Sequence, residues 1–289
     1  MLNRNVLIIF FLLCNLPVFL GCRTNQNTIS LPSFEYDLKT PAKLVLVDAL
    51  AEISGISFYP ADSSIFAISD ESGYLYKIHL NKRFLTEQWG FGKKRDYEDV
   101  IQYGSAFYIL ESNGNIETLN FGEDGDTIYL RRTIFPGDNN KLNEFESIYY
   151  DDQYKGFVMI CKDCEDDTYD FTSAYMYDPV TDKFSKPIFK IDLNPIAKKI
   201  GIETLKFRPS AAAINPLTND VWILSSTNQL IVVIDRKGNM KDVYTIDPGL
   251  FNQPEGISFT PWGDLLIANE AGDEYHSATL LIFKPKNKG

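Results

Sequence analysis

Short apolar runs separated by turn-forming residues fill most of the chain from about residue 40 onward. Runs such as SSIFAIS, SAFYILES and DVWILSS are rich in β-branched and aromatic residues. Turn sequences such as SNGN, RKGN and PWGD stand between them. Runs of this length and composition, bounded by turn residues, predict β-strands. The pattern therefore predicts an all-β protein.

The strand pattern repeats along the chain. Each repeat opens with an acidic or small residue, a small residue and an Ile or Val, as in Ser54-Gly55-Ile56 and Glu255-Gly256-Ile257. The Ile or Val anchors fall at residues 56, 100, 148, 214 and 257, so their spacings are 44, 48, 66 and 43. Periods in the forties with several strands each are typical of β-propellers. The spacing predicts five blades of four antiparallel strands.

The two ends of the chain are predicted to close the ring. The last repeat contains only three strands, and the run AKLVLVD at residues 42–48 can supply the fourth, which removes an open sheet edge. The long third interval leaves a six-bladed alternative open. We instead assign to it an acidic loop, CEDDTYD, and a short helix capped by Asn194, with Pro195 in its first position and Gly201 at its end.

The N-terminus has the pattern of an exported lipoprotein. Arg4 precedes an apolar stretch over residues 6–20 that is too short for a confident membrane span. The sequence FLGC at residues 19–22 resembles a bacterial lipobox, which makes Cys22 the predicted site of acylation, palmitate included. An ordinary secretory signal is the alternative. The predicted location is the cell envelope, anchored by lipid to the outer membrane.

This N-terminal pattern also sets the predicted domains. Residues 1–21 are a lipoprotein signal peptide, residues 22–33 are a polar lipidated tether, and residues 34–289 are a single propeller domain that we expect to be a monomer. Acidic residues outnumber basic ones, 39 to 28, which gives a formal charge of −11. A surface of this charge repels nucleic acid, which excludes that class of partner, and it favours cations.

The cysteines form one local pair. Cys14 lies in the signal and Cys22 in the lipobox, which leaves Cys161 and Cys164 in the sequence ICKDC. A disulfide is plausible in an oxidising compartment, and a pair of free thiols remains open. Redox chemistry and zinc binding are weaker alternatives, because there is no βαβ setting and the two histidines, His79 and His276, are isolated.

Acidic residues recur where strands of the predicted blades begin or end. Glu98, Glu146 and Glu255 start first strands, which line the central channel of a propeller, while Glu111, Asp163 and Glu270 follow second strands. Carboxylates about 6 Å apart repel by roughly 3 kcal/mol. The repulsion can be offset by a hard cation, Ca²⁺ first, by bound protons, or by Lys162 and Arg95. Purely structural acids and acid–base catalysis are the alternatives.

The same stretches resemble a known family. FRPSAAAINPLTNDVWILSS and FNQPEGISFTPWGDLLIANE are similar to the SdiA-regulated, YjiK-like β-propellers of bacterial envelopes, and the resemblance covers roughly residues 40–285. It implies a five-bladed propeller. The chain departs from the family pattern at Asp99, Ser147 and Ala212–Ala213, where Gly or Ser is expected. A distant likeness to calcium-dependent propeller phytases implies a possible phosphate-binding role for the basic residues Arg95, Lys162, Lys206 and Arg208.

These observations support three hypotheses. The first is a ligand-binding or sensing module with Ca²⁺ at the channel mouth, held by Glu98, Glu146 and Glu255, and further by Glu111, Asp163 and Glu270. The second is a calcium-dependent phosphoesterase, in which the metal would activate a water molecule. The third is a scaffold for a protein partner. No Ser-His-Asp set is present, and the sequence does not establish an enzyme. The small-molecule or protein ligand stays open.

Overall fold

The computed structural model describes residues 35–70, 72–81, 86–136, 143–272 and 277–286. These residues form five antiparallel sheets arranged as the blades of a β-propeller. The predicted five-bladed fold is confirmed, and the six-bladed alternative is wrong. The predicted signal, tether and acylated Cys22 lie outside the described residues, and their boundaries stay predictions. Within the described ranges, no helix has the length and apolar character needed to cross a membrane.

Four strands build each blade, except that blade three has a fifth. The N-terminal strand is β1 (Ala42–Val45), and a 3-10 turn at Asp48–Leu50 follows it. Blade one consists of β2 (Ile53–Tyr59), β3 (Ser64–Ser69), β4 (Tyr74–His79) and β5 (Thr86–Gly90). Blade two consists of β6 (Tyr97–Tyr103), β7 (Ala106–Glu111), β8 (Ile116–Phe121) and β9 (Ile128–Thr133).

The remaining blades follow in chain order. Blade three consists of β10 (Glu144–Asp151), β11 (Gly156–Asp163), β12 (Phe171–Asp178), β13 (Lys183–Phe184) and β14 (Phe189–Asp192), and the helix α1 (Leu193–Ile200) follows it. Blade four consists of β15 (Ala211–Ile214), β16 (Val221–Ser225), β17 (Leu230–Ile234) and β18 (Met240–Thr245). Blade five consists of β19 (Pro254–Phe259), β20 (Leu265–Asn269), β21 (Thr279–Phe283) and the N-terminal β1.

The ring is closed by β1, as predicted. This strand pairs antiparallel with β21, with Ala42 opposite Ile282 and Val45 opposite Thr279. The residues before it contribute further contacts: the Tyr36 hydroxyl donates a hydrogen bond to the Gly263 carbonyl at 2.7 Å. Both ends of the propeller therefore meet in blade five, where β1 covers β21 and becomes the outer strand of the sheet.

The long third interval contains extra structure within one blade. Strands β13 and β14 both pair with β12, and α1 then leads towards blade four. Gly201 ends the helix in the left-handed conformation, as predicted. The predicted N-cap, Asn194, is wrong. The N-cap is Asp192, whose side chain accepts a hydrogen bond from the Asn194 amide at 2.9 Å. Pro195 consequently lies in the third helical position.

The hydrophobic core lies between neighbouring blades. Separate clusters of buried residues fill the contacts between consecutive blades around the ring. For example, Val158 and Ile160 of blade three pack with Ile223 and Val232 of blade four, and all four are fully buried. Burying each such side chain contributes about 1.5–3 kcal/mol. Packing between blades therefore holds the first strands around the central axis.

A buried carboxyl group links three blades near that axis. Asp99 of β6 accepts hydrogen bonds from its neighbour Val100 at 2.8 Å and from the Ile148 amide of blade three at 2.9 Å. Burial raises the pKa of Asp99 well above its usual value. Its backbone and side chain fill the space beside Gly55 of blade one. The sequence departure at Asp99 is thus accommodated by the missing side chain at residue 55.

We expect Gly55→Ala to lower the free energy of unfolding by about 2–3 kcal/mol, because overpacking a rigid contact forces the backbone to move. A Cβ at residue 55 would lie 2.5 Å from the Asp99 Cα and 2.5 Å from its Oδ1. Urea unfolding followed by tryptophan fluorescence measures the effect. Gly249→Ala is the control, since a Cβ there would meet only the Asp247 side chain, at 3.3 Å. Equal midpoints for the two variants would contradict the prediction.

Candidate functional site

A β-bulge at the start of the first strand recurs in four blades. The register skips one residue between Ile53 and Gly55, and the corresponding skips leave one extra residue in blades two, three and five. The extra residues are Ser54, Glu98, Glu146 and Glu255. Because a bulge re-aims its side chain, the four side chains reach the same end of the central channel. All four line one cavity there.

Blade four supplies Ser210 at the corresponding position. Ala211 lies opposite Leu224, as Gly256 lies opposite Ala268 in blade five, so Ser210 corresponds to Glu255. The repeat pattern in the sequence matched Ala212–Ala213 to Glu255–Gly256, which is two residues too late in the chain. Three consecutive alanines carry no pattern that fixes the register. The signal that could have found it is the proline that precedes both Ser210 and Glu255.

The second strands add an adjacent ring of side chains. On the second strand of four blades, one side chain just past the bulge also lines the cavity. These residues are Asp70 in blade one, Lys162 in blade three, Ser226 in blade four and Glu270 in blade five. The cavity has a volume of about 290 Å³. Its wall includes one ammonium group, that of Lys162. It also includes seven carboxylates, those of Asp70, Asp96, Glu98, Glu144, Glu146, Glu255 and Glu270.

Lys162 pairs with two of the carboxylates of this cavity. Its ammonium group forms ion pairs with Glu146 and, at 3.2 Å, with Glu144. Glu144 is also bound by Arg208, at 3.0 Å. Of the two basic residues predicted to reach in, Lys162 does so. Arg95 does not belong to the cavity lining, and its Nε lies 3.2 Å from Glu117.

Three other carboxylates of the cavity have raised pKa values, although the charge of Lys162 opposes each shift. Burial, followed by the charge of Asp96, raises the pKa of Glu98 to about 9. Burial raises the pKa of Glu255 to about 7, although hydrogen bonds with serines oppose the shift. Burial and the charge of Glu255 raise the pKa of Glu270 to about 8. These three groups therefore resist ionisation together, and a bound positive charge would relieve that resistance.

Two predicted ligands lie elsewhere. Glu111 is opposite Tyr97 in the ladder, one residue before the cavity-lining position, so its side chain points to the other face of the sheet. There it accepts hydrogen bonds from Arg132 and from Asn115. Burial raises its pKa, but the hydrogen bonds from Arg132 and Asn115 and the charges of Arg132 and Arg95 together outweigh burial, and the net shift is downward. Asp163, one residue past Lys162, is bound outside the cavity by Lys206 at 2.9 Å and Arg208 at 3.0 Å.

The cavity also contains acids that the sequence patterns missed. Asp96 and Glu144 each stand two residues before a bulged glutamate, as DYE and EFE. A period of two along a strand is the signal that could have indicated them. Of the six predicted metal ligands, the structure brings Glu98, Glu146, Glu255 and Glu270 together.

The cysteine pair lies at the edge of this site. Cys161 and Cys164 form a disulfide around Lys162 and Asp163. The disulfide sulfurs lie close to Asp167, and among the described residues this is the group of three whose potential metal-ligating atoms fall within 4.8 Å of one another. In the described part of the chain the cavity carboxylates do not come that close. His79 contacts Glu87 in blade one, whereas His276 lies outside the described residues.

The fold and the cavity define a five-bladed β-propeller with an acidic pocket at one end of its central channel. A sequence model described as SdiA-regulated matches residues 26–275. The chain belongs to the SdiA-regulated family. A search of curated proteins finds no significant match.

Solved structures that share the fold include two enzymes. One is a glutaminyl cyclase from Myxococcus xanthus, with a TM-score of 0.54 and 14% identity over 84% of this chain and 94% of that one. The other is a luciferin-regenerating enzyme, with a TM-score of 0.51 and 11% identity over 86% of this chain and 96% of that one. At these identities the likeness concerns the fold alone.

Proposed function

We propose that this protein is a lipid-anchored envelope propeller that binds a divalent cation, Ca²⁺, in its central cavity and acts as a ligand-binding or sensing module. The observation that carries the proposal is the convergence of Glu98, Glu255 and Glu270 on one cavity whose lining has seven carboxylates and one ammonium group. Carboxylate oxygens from several elements are the ligands that Ca²⁺ prefers. The envelope location rests on the lipobox-like FLGC sequence at residues 19–22.

The ligand set differs from the one expected from sequence. Glu146 is paired with Lys162 and is therefore less available as a metal ligand. Glu270 becomes a primary candidate ligand in its place. Ca²⁺ accepts six to eight oxygen ligands and flexible geometry. A cavity of about 290 Å³ leaves room for water molecules beside the glutamates, and the Ser210 and Ser226 hydroxyls add neutral oxygens. Small side-chain rotations would bring the carboxylates around an ion.

We expect Glu98→Gln to weaken Ca²⁺ binding about 10- to 100-fold, because one charge-assisted interaction contributes about 1.5–3 kcal/mol. Isothermal titration of metal-stripped protein with CaCl₂ measures the affinity. Glu203→Gln is the matched control: it removes the same charge from an exposed residue and should leave the isotherm unchanged. Identical heats for the wild type and Glu98→Gln, or no heat from either, would overturn the proposal.

The phosphoesterase alternative has less support from the geometry. Of the four basic residues considered for phosphate, Lys162 lines the cavity, while Lys206 and Arg208 bind Asp163 and Arg95 lies beside Glu117. Phosphoryl groups require several positive charges around them in addition to a metal. Release of phosphate from a panel of esters, dependent on Ca²⁺, would restore the enzyme hypothesis. No contact within the described residues specifically favours a protein scaffold.

A further inference from the structure

A second cavity lies beside the central one and shares Lys162 with it. This side pocket has a volume of about 410 Å³ and lies between the end of β11, the loop that follows and the segment before β15. Its apolar lining comes from Cys164, Leu193 and Phe207, all buried, and from the exposed ring of Tyr169. A volume of this size and a partly apolar lining are typical of sites for small organic molecules.

The polar groups of the side pocket favour an anionic ligand. Its two acidic residues are already engaged: Asp163 is bound by both Lys206 and Arg208, and Asp167 accepts a hydrogen bond from the Ser173 amide at 2.7 Å. The side chains of Lys162 and Lys206 both line the pocket. Each ammonium has three donors, and within the described residues Lys206 uses one of them, on Asp163. Lys206 therefore has donors available, while Asp163 is neutralised by two cations and Asp167 already accepts a hydrogen bond.

We propose that the side pocket binds a small organic acid with an apolar, preferably aromatic, body. The carboxylate of the ligand would accept hydrogen bonds from Lys162 and Lys206, and its body would pack on Leu193, Phe207 and Tyr169. Charge-assisted hydrogen bonds fix the orientation of such a ligand, and burial of its ring supplies apolar contact. Binding of the acid in the side pocket does not require a metal ion in the central cavity.

Lys162 would couple the side pocket to the central cavity. The same ammonium group now pairs with Glu146 and Glu144, so a carboxylate that draws it towards the side pocket leaves those two acids with less positive charge. The central cavity then attracts a cation more strongly. This coupling rests on the proposed Ca²⁺ site, and it must be reciprocal: Ca²⁺ tightens the organic acid by the same factor.

The test compares three ligands that share a phenylpropyl skeleton and carry a negative, a neutral or a positive end group. Metal-stripped protein is titrated with 3-phenylpropionate, 3-phenylpropanamide and 3-phenylpropylamine by calorimetry. The acid should bind at least tenfold more tightly than the amide or the amine. Lys206→Gln should weaken the acid about tenfold and leave the amide unchanged, while Lys183→Gln, an exposed lysine on β13, should change neither. Equal affinity for acid and amide, no binding of the acid, or no effect of Lys206→Gln would overturn the proposal.

The two sites can fail separately. If the acid binds without metal but Ca²⁺ does not bind, the proposed function is wrong and the side pocket stands. If Ca²⁺ binds but the acid does not, the side pocket is wrong and the proposed function stands. If both bind, Lys162→Gln should tighten Ca²⁺ and abolish the mutual enhancement, and an enhancement that survives this change would overturn the coupling.

Discussion

Replacing Arg236 with methionine is expected to lower the free energy of unfolding by about 3–5 kcal/mol, a large share of the stability of a domain. Asp151 ends the first strand of blade three and is fully buried. The Arg236 guanidinium of blade four donates two hydrogen bonds to the Asp151 carboxylate, one of them from Nε at 2.6 Å. It also contacts Asp152. Without the arginine, a buried carboxylate would lose its counter-charge between two blades.

Two further variants separate the charge from the packing. The double variant Asp151→Asn/Arg236→Met removes both charges and keeps an acceptor for the Gln153 amide, so it should recover a substantial part of the loss. Lys241→Met removes a half-exposed partner of Asp220 and should cost less than about 1 kcal/mol. Urea unfolding of all three measures the differences. A loss below 1 kcal/mol for Arg236→Met would show that the buried pair is dispensable.

Metal-stripped protein should lose about 2–4 kcal/mol of stability as the pH rises from 5 to 9. Glu98, Glu255 and Glu270 have pKa values of about 9, 7 and 8 in the folded protein, against 4.5 for an unperturbed glutamate. The folded state therefore binds more protons than the unfolded state between these limits, so this contribution to stability is full below about pH 4.5, falls most steeply between about pH 5 and 7, and is lost once the pH has passed the folded pKa values at about 9. Each pKa unit corresponds to about 1.4 kcal/mol, reduced here because partly solvated side chains can separate on ionising.

Thermal unfolding at several pH values, with and without CaCl₂, measures this dependence. Ca²⁺ at about 100 times its dissociation constant should restore about 2.7 kcal/mol at high pH, since it binds the folded state alone. The triple variant Glu98→Gln/Glu255→Gln/Glu270→Gln should give a flatter profile and no response to Ca²⁺. A wild-type profile that rises from pH 5 to 9, or one that the triple variant reproduces, would contradict the assigned carboxylates.

The sequence was sufficient to predict the fold because each blade repeats one pattern. Strand runs, turn residues and anchor spacing locate the blades, and AKLVLVD stands where the missing strand is needed. These features are local, or periodic over a whole blade, so an error of one or two residues leaves the architecture intact. The cap of α1 shows the limit of that precision, since Asp192 and Asn194 are both good capping residues.

The site depends on register, and register was less accessible from sequence. Asp163 is displaced by one residue from the cavity-lining Lys162, and Glu111 by one residue from Ser112, which donates a hydrogen bond to the cavity residue Asp96; a one-residue shift moves a side chain to the opposite face. The bulges that aim Glu98, Glu146 and Glu255 are features of strand pairing and leave no composition signal of their own. Lys162 was considered as a counter-charge, but its pairing with Glu146 rather than Glu98 depends on how the blades are packed.

The bulged residues stand outside the regular pairing of the strands, so their side chains are not required for the ladder to form. The four bulges hold one serine and three glutamates, and the corresponding position of blade four holds a second serine, Ser210. Relatives with the same five blades could consequently exchange these residues and select quite different solutes at little structural cost. The same backbone would then support different ligand selectivities, determined by the side chains at these five positions.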